Sequence, residues 1–278
     1  MFSKDSGFSG LKTRVRIDSI DFNCGRLSLL NRVLEQWIPS LSGQLSCLSI
    51  RVLFPSLSRS EHLACLKSHF PQIYDEGSSL QICVQISGSI KIFGDLPDHA
   101  LVQRESVCEL LSDRFHRRMK QIRLRTRNRY FEDSVCFFSE DVEIHYRVKP
   151  QLTGSTFIEG IYSPDLFDYK LCIDELGLFA YMAQQPTPQR SSIDYVYATQ
   201  TLGCPGLLVP MDAVGLLLLN LCQQYMPNVK VTSFNYHVYG QLYTRQTIRL
   251  CATVINESQI LTWAESDRYL LYHGVINL

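Results

Sequence analysis

Between Gln184 and Ala198 the chain reads QQPTPQRSSIDYVYA, a polar stretch holding Thr187, Ser192 and Asp194 and stiffened by Pro186 and Pro188. It leads into the turn Gly203-Cys204-Pro205-Gly206 and then into LLVPMDAVGLLLLNL, an apolar run that carries Met211 and Asp212. A carboxylate such as Asp194 takes a proton near neutral pH if burial raises its pKa. A serine hydroxyl such as that of Ser192 does not act as a base unassisted, whereas an imidazole titrates in that range. A helix whose first position is Pro210 leaves the amides of Met211, Asp212 and Ala213 pointing back toward the loop, a setting that suits an oxyanion or a polarised carbonyl. The same residues also fit an ordinary buried helix whose end the loop caps. Tyr195 and Tyr197 fit packing or hydrogen bonding better than catalysis, and His237 and His273 stand singly on strand-like runs.

A second group is basic. Arg123, Arg125, Arg127 and Arg129 alternate, so a strand would project all four from one face. That ladder could dock phosphates, coenzyme A or the acidic surface of an acyl carrier protein. Alternatively it pairs across a hairpin with Glu140, Asp141 and Glu143. No aromatic alternation of the stacking kind accompanies it, which argues against RNA.

The elements that must position these groups follow from periodicity. Residues 26–38 have helical spacing stopped by Pro39, and 48–54 alternate as a strand ended by Pro55. Ser58 and Glu61 have capping-box form and open a helix through Phe70. Strand spacing then runs over 80–92, 101–111, 119–129 and 135–148. The second half repeats the plan, with helices over 173–182 and 210–225 and strands over 229–239, 247–255, 259–265 and 268–276. The helix at 210–225 is apolar on every side, so protein must wrap it. The expected fold is therefore α+β, two antiparallel sheets each curled around a helix. The chain divides into an amino-terminal segment over 1–40, a first unit over 41–150 and a second over 151–278, with the boundary in KPQLTGSTFIEGIYSPD.

Composition narrows the function. The 278 residues are 45 % hydrophobic and 19 % charged, with 27 basic and 27 acidic side chains, so no overall field selects nucleic acid or an acidic membrane. The 10 cysteines form no Cys-x-x-Cys pair and read as buried small hydrophobes rather than zinc ligands or disulfides. The run from Leu207 to Cys222 falls short of the ~20 residues a membrane span needs. No Gly-rich phosphate loop follows a strand, and no metal or cofactor is expected. Lys4, Lys12, Arg14 and Arg16 among serines lean toward a mitochondrial leader, diluted by Asp5, Asp18 and Asp21.

The run PQRSSIDYVYATQTLGCPGLLVPMDAVGLLLLNL resembles the second half of the fungal mitochondrial hydroxyacyl-thioester dehydratase type 2 family and its bacterial mesaconyl-type hydratase (MaoC) relatives. Pro188, Arg190, Asp194, Tyr197, Ala198, Gly203, Pro205 and Gly206 fall into that register, and VLFPS at 52–56 and DVEIHYR at 141–147 agree more loosely. The resemblance implies a double hot-dog fold and reversible loss of water from a 3-hydroxyacyl thioester in type II fatty-acid synthesis. It places the substrate, carried by acyl carrier protein or coenzyme A, against Tyr197, Gly203, Pro205, Gly206, Met211 and Asp212. Where the family's loop carries asparagine and two histidines, this chain has Thr187, Gln189 and Ser192. Losing such a base costs ~10²–10⁴-fold in rate. The departure leaves Asp194 as the candidate substitute base, although the family keeps an aspartate there beside its histidine, which implies a structural role; the pattern equally fits a catalytically inactive hot-dog protein that binds an acyl carrier. A homo-oligomer or a subunit of a mitochondrial assembly suits either reading.

Overall fold

The structure, a computed structural model, describes residues 12–39, 49–54, 82–95, 99–116, 119–147, 163–267 and 269–278. Long runs of period-two sequence become one ten-stranded sheet, wholly antiparallel, in the order β1-β3-β4-β5-β2-β8-β12-β11-β10-β6. Its first half comprises β1 (Lys12–Asn23), β2 (Ile82–Ile92), β3 (His99–His116), β4 (Met119–Glu132) and β5 (Val135–Arg147). Its second half comprises β6 (Phe167–Cys172), β8 (Ser233–Val238), β10 (Thr247–Asn256), β11 (Gln259–Ser266) and β12 (Tyr269–Asn277). The halves join where β2 pairs with β8, from Ser87 opposite His237 to Lys91 opposite Ser233. The two expected half-sheets are thus joined edge to edge.

Helix α5 (Met211–Tyr225) lies against β10, β11 and β12. Leu216, Leu217, Leu218, Leu219 and Leu221 are all at most 1 % exposed, so no side of its middle faces water. Burying each such leucine contributes roughly 1.5–3 kcal/mol. On the first half the described covering elements are α1 (Cys24–Trp37) and α2 (Ser49–Leu53). Helix α3 (Glu175–Met182) packs on α1, with the Trp37 and Tyr181 rings 5.6 Å apart. Asp174 caps α3 as its sequence suggests, accepting from the Gly177 amide at 2.7 Å.

Two expectations require correction. Residues 49–53 form a helix rather than a strand: Val52, Leu53 and Phe54 are all buried in succession, which a two-faced strand does not allow. Residues 12–23, expected within a separate amino-terminal segment, form the edge strand β1 on β3. The pattern there was hidden because β1 supplies the inner face with Asp18, which pairs with Arg104. The expected helix over 58–70 and most of the expected unit boundary lie outside the described residues.

One cross-strand row crosses the buried face through Cys108, Thr126, Val142, Gly88, Tyr236, Gly274, Thr262, Ala252 and Phe167. Position 274 has to be glycine because the fully buried Phe234 ring leans across it: a Cβ there would lie 2.4 Å from Phe234 Cε2 and 3.1 Å from Thr262 Oγ1. Gly274→Val is expected to cost about 1–3 kcal/mol of stability by overpacking, read as a lower urea midpoint at unchanged slope.

Candidate functional site

The loop between α3 and α5 is built around Asp194. A short helix, α4 (Arg190–Ile193), ends at it; its Oδ1 accepts the Tyr197 amide at 2.9 Å and its Oδ2 accepts Arg190 Nε at 3.0 Å. The Arg190 guanidinium also stacks on the Tyr197 ring, 4.3 Å from the centroid. The Tyr197 amide and then Arg190 hold the Asp194 carboxyl below its usual range. Asp194 as a substitute base required the opposite shift, so the geometry gives it an anchoring role instead. Thr187 is exposed, while Ser192 is completely buried and its hydroxyl has no hydrogen-bond partner among the described residues.

After Tyr197 the chain makes a single wide turn over Tyr197–Thr201 and then reverses. Gly203 has φ +72°, the left-handed region that glycine enters freely, and the Cys204 amide returns to Ala198 O at 2.9 Å. Gly206 sits against Thr244, whose hydroxyl accepts the Leu207 amide at 3.2 Å. A two-residue strand, β7 (Leu208–Val209), pairs with β9 (Leu242–Tyr243) and aims the chain into α5. Pro205 is exposed and Met211 buried. The expected loop, turn and helix entrance are therefore contiguous.

The helix end differs from expectation. The Ala213 amide is taken by Pro210 O at 3.1 Å and by Asp212 Oδ1 at 3.0 Å, and the Asp212 amide also engages its own carboxylate. The amides expected to receive an oxyanion thus hold a carboxylate in this structure. Burial raises the Asp212 pKa, against the opposing pull of Arg51.

Arg51 was not anticipated. From α2 it reaches the inner face of the sheet and pairs with Glu140 at 2.6 Å, and it also hydrogen-bonds the Tyr236 hydroxyl. Glu140, 4 % exposed, further accepts Asn128 Nδ2 at 2.7 Å and the Tyr130 hydroxyl at 3.0 Å. Burial pushes the Tyr236 hydroxyl up to about 12, so it stays a proton donor through the neutral range. Tyr181 and Tyr272 also lie within electrostatic reach of both Asp212 and Arg51. Residues from both halves thus meet beside the first turn of α5: Arg51 and Glu140 from the first, Asp212, Tyr236 and Tyr272 from the second.

The arginine ladder faces the other side of β4. Arg123 donates to Glu143 at 2.8 Å and to His145 at 3.1 Å; Arg127 lies 3.3 Å from both Glu109 and Asp141. Arg125 stands opposite Glu109 and Glu143, and Arg129 opposite Glu105 and Ser139. Cross-strand acids thus flank Arg125 and Arg127 on both neighbouring strands and Arg129 on one.

No protein-family model matches the sequence, and no curated protein matches it. Solved structures do. A MaoC-like dehydratase from Phytophthora capsici aligns over 95 % of this chain and 95 % of its own, with TM-score 0.64 at 10 % identity. HtdX of Mycobacterium tuberculosis aligns over 95 % of this chain and all (100 %) of its own, with TM-score 0.63 and 10 % identity. Another Mycobacterium tuberculosis protein, described as having a double hotdog fold, aligns over 95 % of each chain with TM-score 0.55 and 9 % identity. At such identities the likeness establishes the fold: this chain is a double hot-dog.

Proposed function

We propose that the chain is a hydratase/dehydratase acting on 3-hydroxyacyl thioesters, carried by acyl carrier protein or coenzyme A, in mitochondrial fatty-acid synthesis. The observation that carries this reading is the meeting of a raised, half-buried carboxylate with a guanidinium and a tyrosine hydroxyl at the loop-side end of α5. Elimination of water needs a group that takes the α-proton and a donor for the charge developing on the thioester oxygen. Asp212 fits the first requirement. Arg51 and Tyr236 fit the second. In the elimination the α C–H bond breaks toward Asp212, a C=C bond forms, and the β C–O bond breaks. The proton held by Asp212 then leaves with the hydroxyl as water. The double hot-dog fold with its folded loop supports the class, as do dehydratases among the similar structures.

A second reading, non-catalytic binding of an acyl carrier, is favoured by one observation: the loop positions that carry proton chemistry in the resembled family are here an exposed threonine and a sealed serine. The purified chain is expected to interconvert crotonyl and 3-hydroxybutyryl thioesters, followed at the enoyl-thioester absorbance. Absence of turnover in both directions removes the enzymatic reading and leaves the binding one.

A further inference from the structure

The buried face of the sheet changes character at the junction of its halves. The row through Ser106, Asn128 and Glu140 continues into Ile90, Phe234, Ile276 and Ile260. The second half of that row is hydrocarbon, matched to α5. The first half is polar, and it is equally buried: Ser106 is 0 % and Asn128 8 % exposed, with Thr126 of the adjoining row 4 % exposed. Ser106 lies directly opposite Asn128, and Thr126 is two residues from Asn128 on the same strand face.

None of Ser106 Oγ, Thr126 Oγ1 and Asn128 Oδ1 has a hydrogen-bond partner among the described residues. The 2.7 Å contact with the Glu140 carboxylate requires the amide nitrogen of Asn128 on that side. Asn128 Oδ1 is therefore an acceptor turned away from Glu140. Charges flank the patch but close on themselves, Arg104 on Asp18 and Arg51 on Glu140. Buried groups of this kind need partners, and three adjacent ones without any describe the complement of what should lie on them.

We infer that Ser106, Thr126 and Asn128 form a subsite for a neutral hydrogen-bonding group, a hydroxyl or an amide, on the acyl portion of the ligand. Such a group donates to Asn128 Oδ1 and accepts from the hydroxyls of both Ser106 and Thr126. A saturated hydrocarbon tail laid on the same atoms would leave all three unsatisfied, so the subsite selects against it. This inference rests on the thioester reading for the identity of the whole ligand, though not for the chemistry of the subsite.

Calorimetric titration of the full chain with three compounds separates the two. These are the octanoyl and omega-hydroxyoctanoyl thioesters of N-acetylcysteamine, and omega-hydroxyoctanamide, which has no thioester. The hydroxylated thioester is expected to bind about tenfold or more tightly than its saturated counterpart. That preference should fall several-fold in Thr126→Val and in Ser106→Ala. Each substitution deletes an unpartnered hydroxyl at nearly constant shape, so the thermal midpoint should hold; should one variant unfold, the other carries the test. Equal binding of the two thioesters, or a preference untouched by both substitutions, overturns the subsite while leaving the thioester reading intact; the unpartnered atoms then hold only structural water. Binding of the amide alone, sensitive to the substitutions, upholds the subsite and overturns the thioester reading. If none of the three binds, both are overturned.

Discussion

Glu140→Leu should lower the unfolding free energy by about 3–5 kcal/mol, one of the largest effects of any single substitution in this chain. The carboxylate is nearly sealed from water; it accepts from Asn128 at 2.7 Å and Tyr130 at 3.0 Å and forms an ion pair with Arg51 at 2.6 Å. Leucine fills the volume but leaves a guanidinium, an amide and a phenol without their acceptor. The guanidinium dominates, because an uncompensated buried charge costs more than an unmade neutral hydrogen bond. Glu140→Gln keeps the shape and one acceptor, so it should cost less. The paired change Arg51→Met with Glu140→Leu should recover part of the loss by removing the orphaned charge. It should not recover all, since Asn128 and Tyr130 remain unserved. Urea unfolding of the three variants, at a common slope, orders them as Glu140→Leu worst and the other two intermediate. A Glu140→Leu chain as stable as the wild type would mean that the Arg51–Glu140 pair does not exist in solution.

How far the sequence revealed this arrangement depends on the signal each element carried. Helix α5 and the strands after it were plain, because an all-round apolar run and alternating runs both follow from what they bury. Strand β1 was obscured, since its inner side carries Asp18 beside the apolar Ile20. The segment 49–53 imitated a strand because Ile50, Val52 and Phe54 alternate by chance within a helix whose packing buries Val52 and Leu53 together. The loop, its turn and the helix entrance follow one another in the chain, but the chemistry of their residues depends on contacts the sequence does not display. Asp194 is committed to Tyr197 and Arg190, and Asp212 closes on the amides it was expected to leave open. The inner polar row was present in the sequence. Thr126 and Asn128 alternate with the arginines of β4, whose outward charges mask the quieter inward parity.

Asp212 separates catalysis from scaffolding. Asp212→Asn should reduce kcat for hydration and dehydration by about 10²–10⁴-fold, the usual worth of a positioned proton carrier. Asparagine retains a side-chain oxygen for the Ala213 amide, so the helix end should stay capped and the fold intact. The pH profile supplies a readout that a merely structural role would not move. A base acts in its deprotonated form, so kcat/KM should rise with pH through the Asp212 pKa. Burial raises that pKa above the usual aspartate value near 3.8, which places the acid limb above that value rather than at it. Stability has the opposite sign. A carboxyl whose folded pKa exceeds its unfolded one favours the folded state below the unfolded pKa, and that contribution is lost as pH rises through the folded pKa. Wild type should therefore lose a little stability over the same interval in which it gains activity, and Asp212→Asn should lack both changes. Arg51, Glu140, Tyr181, Tyr236 and Tyr272 surround the group electrostatically, and among these residues only Arg51 acts to lower the Asp212 pKa. Arg51→Met should consequently move the acid limb to higher pH in whatever fraction of the variant remains folded. A limb that stays fixed in Arg51→Met and persists in Asp212→Asn would assign the proton transfer to a different group.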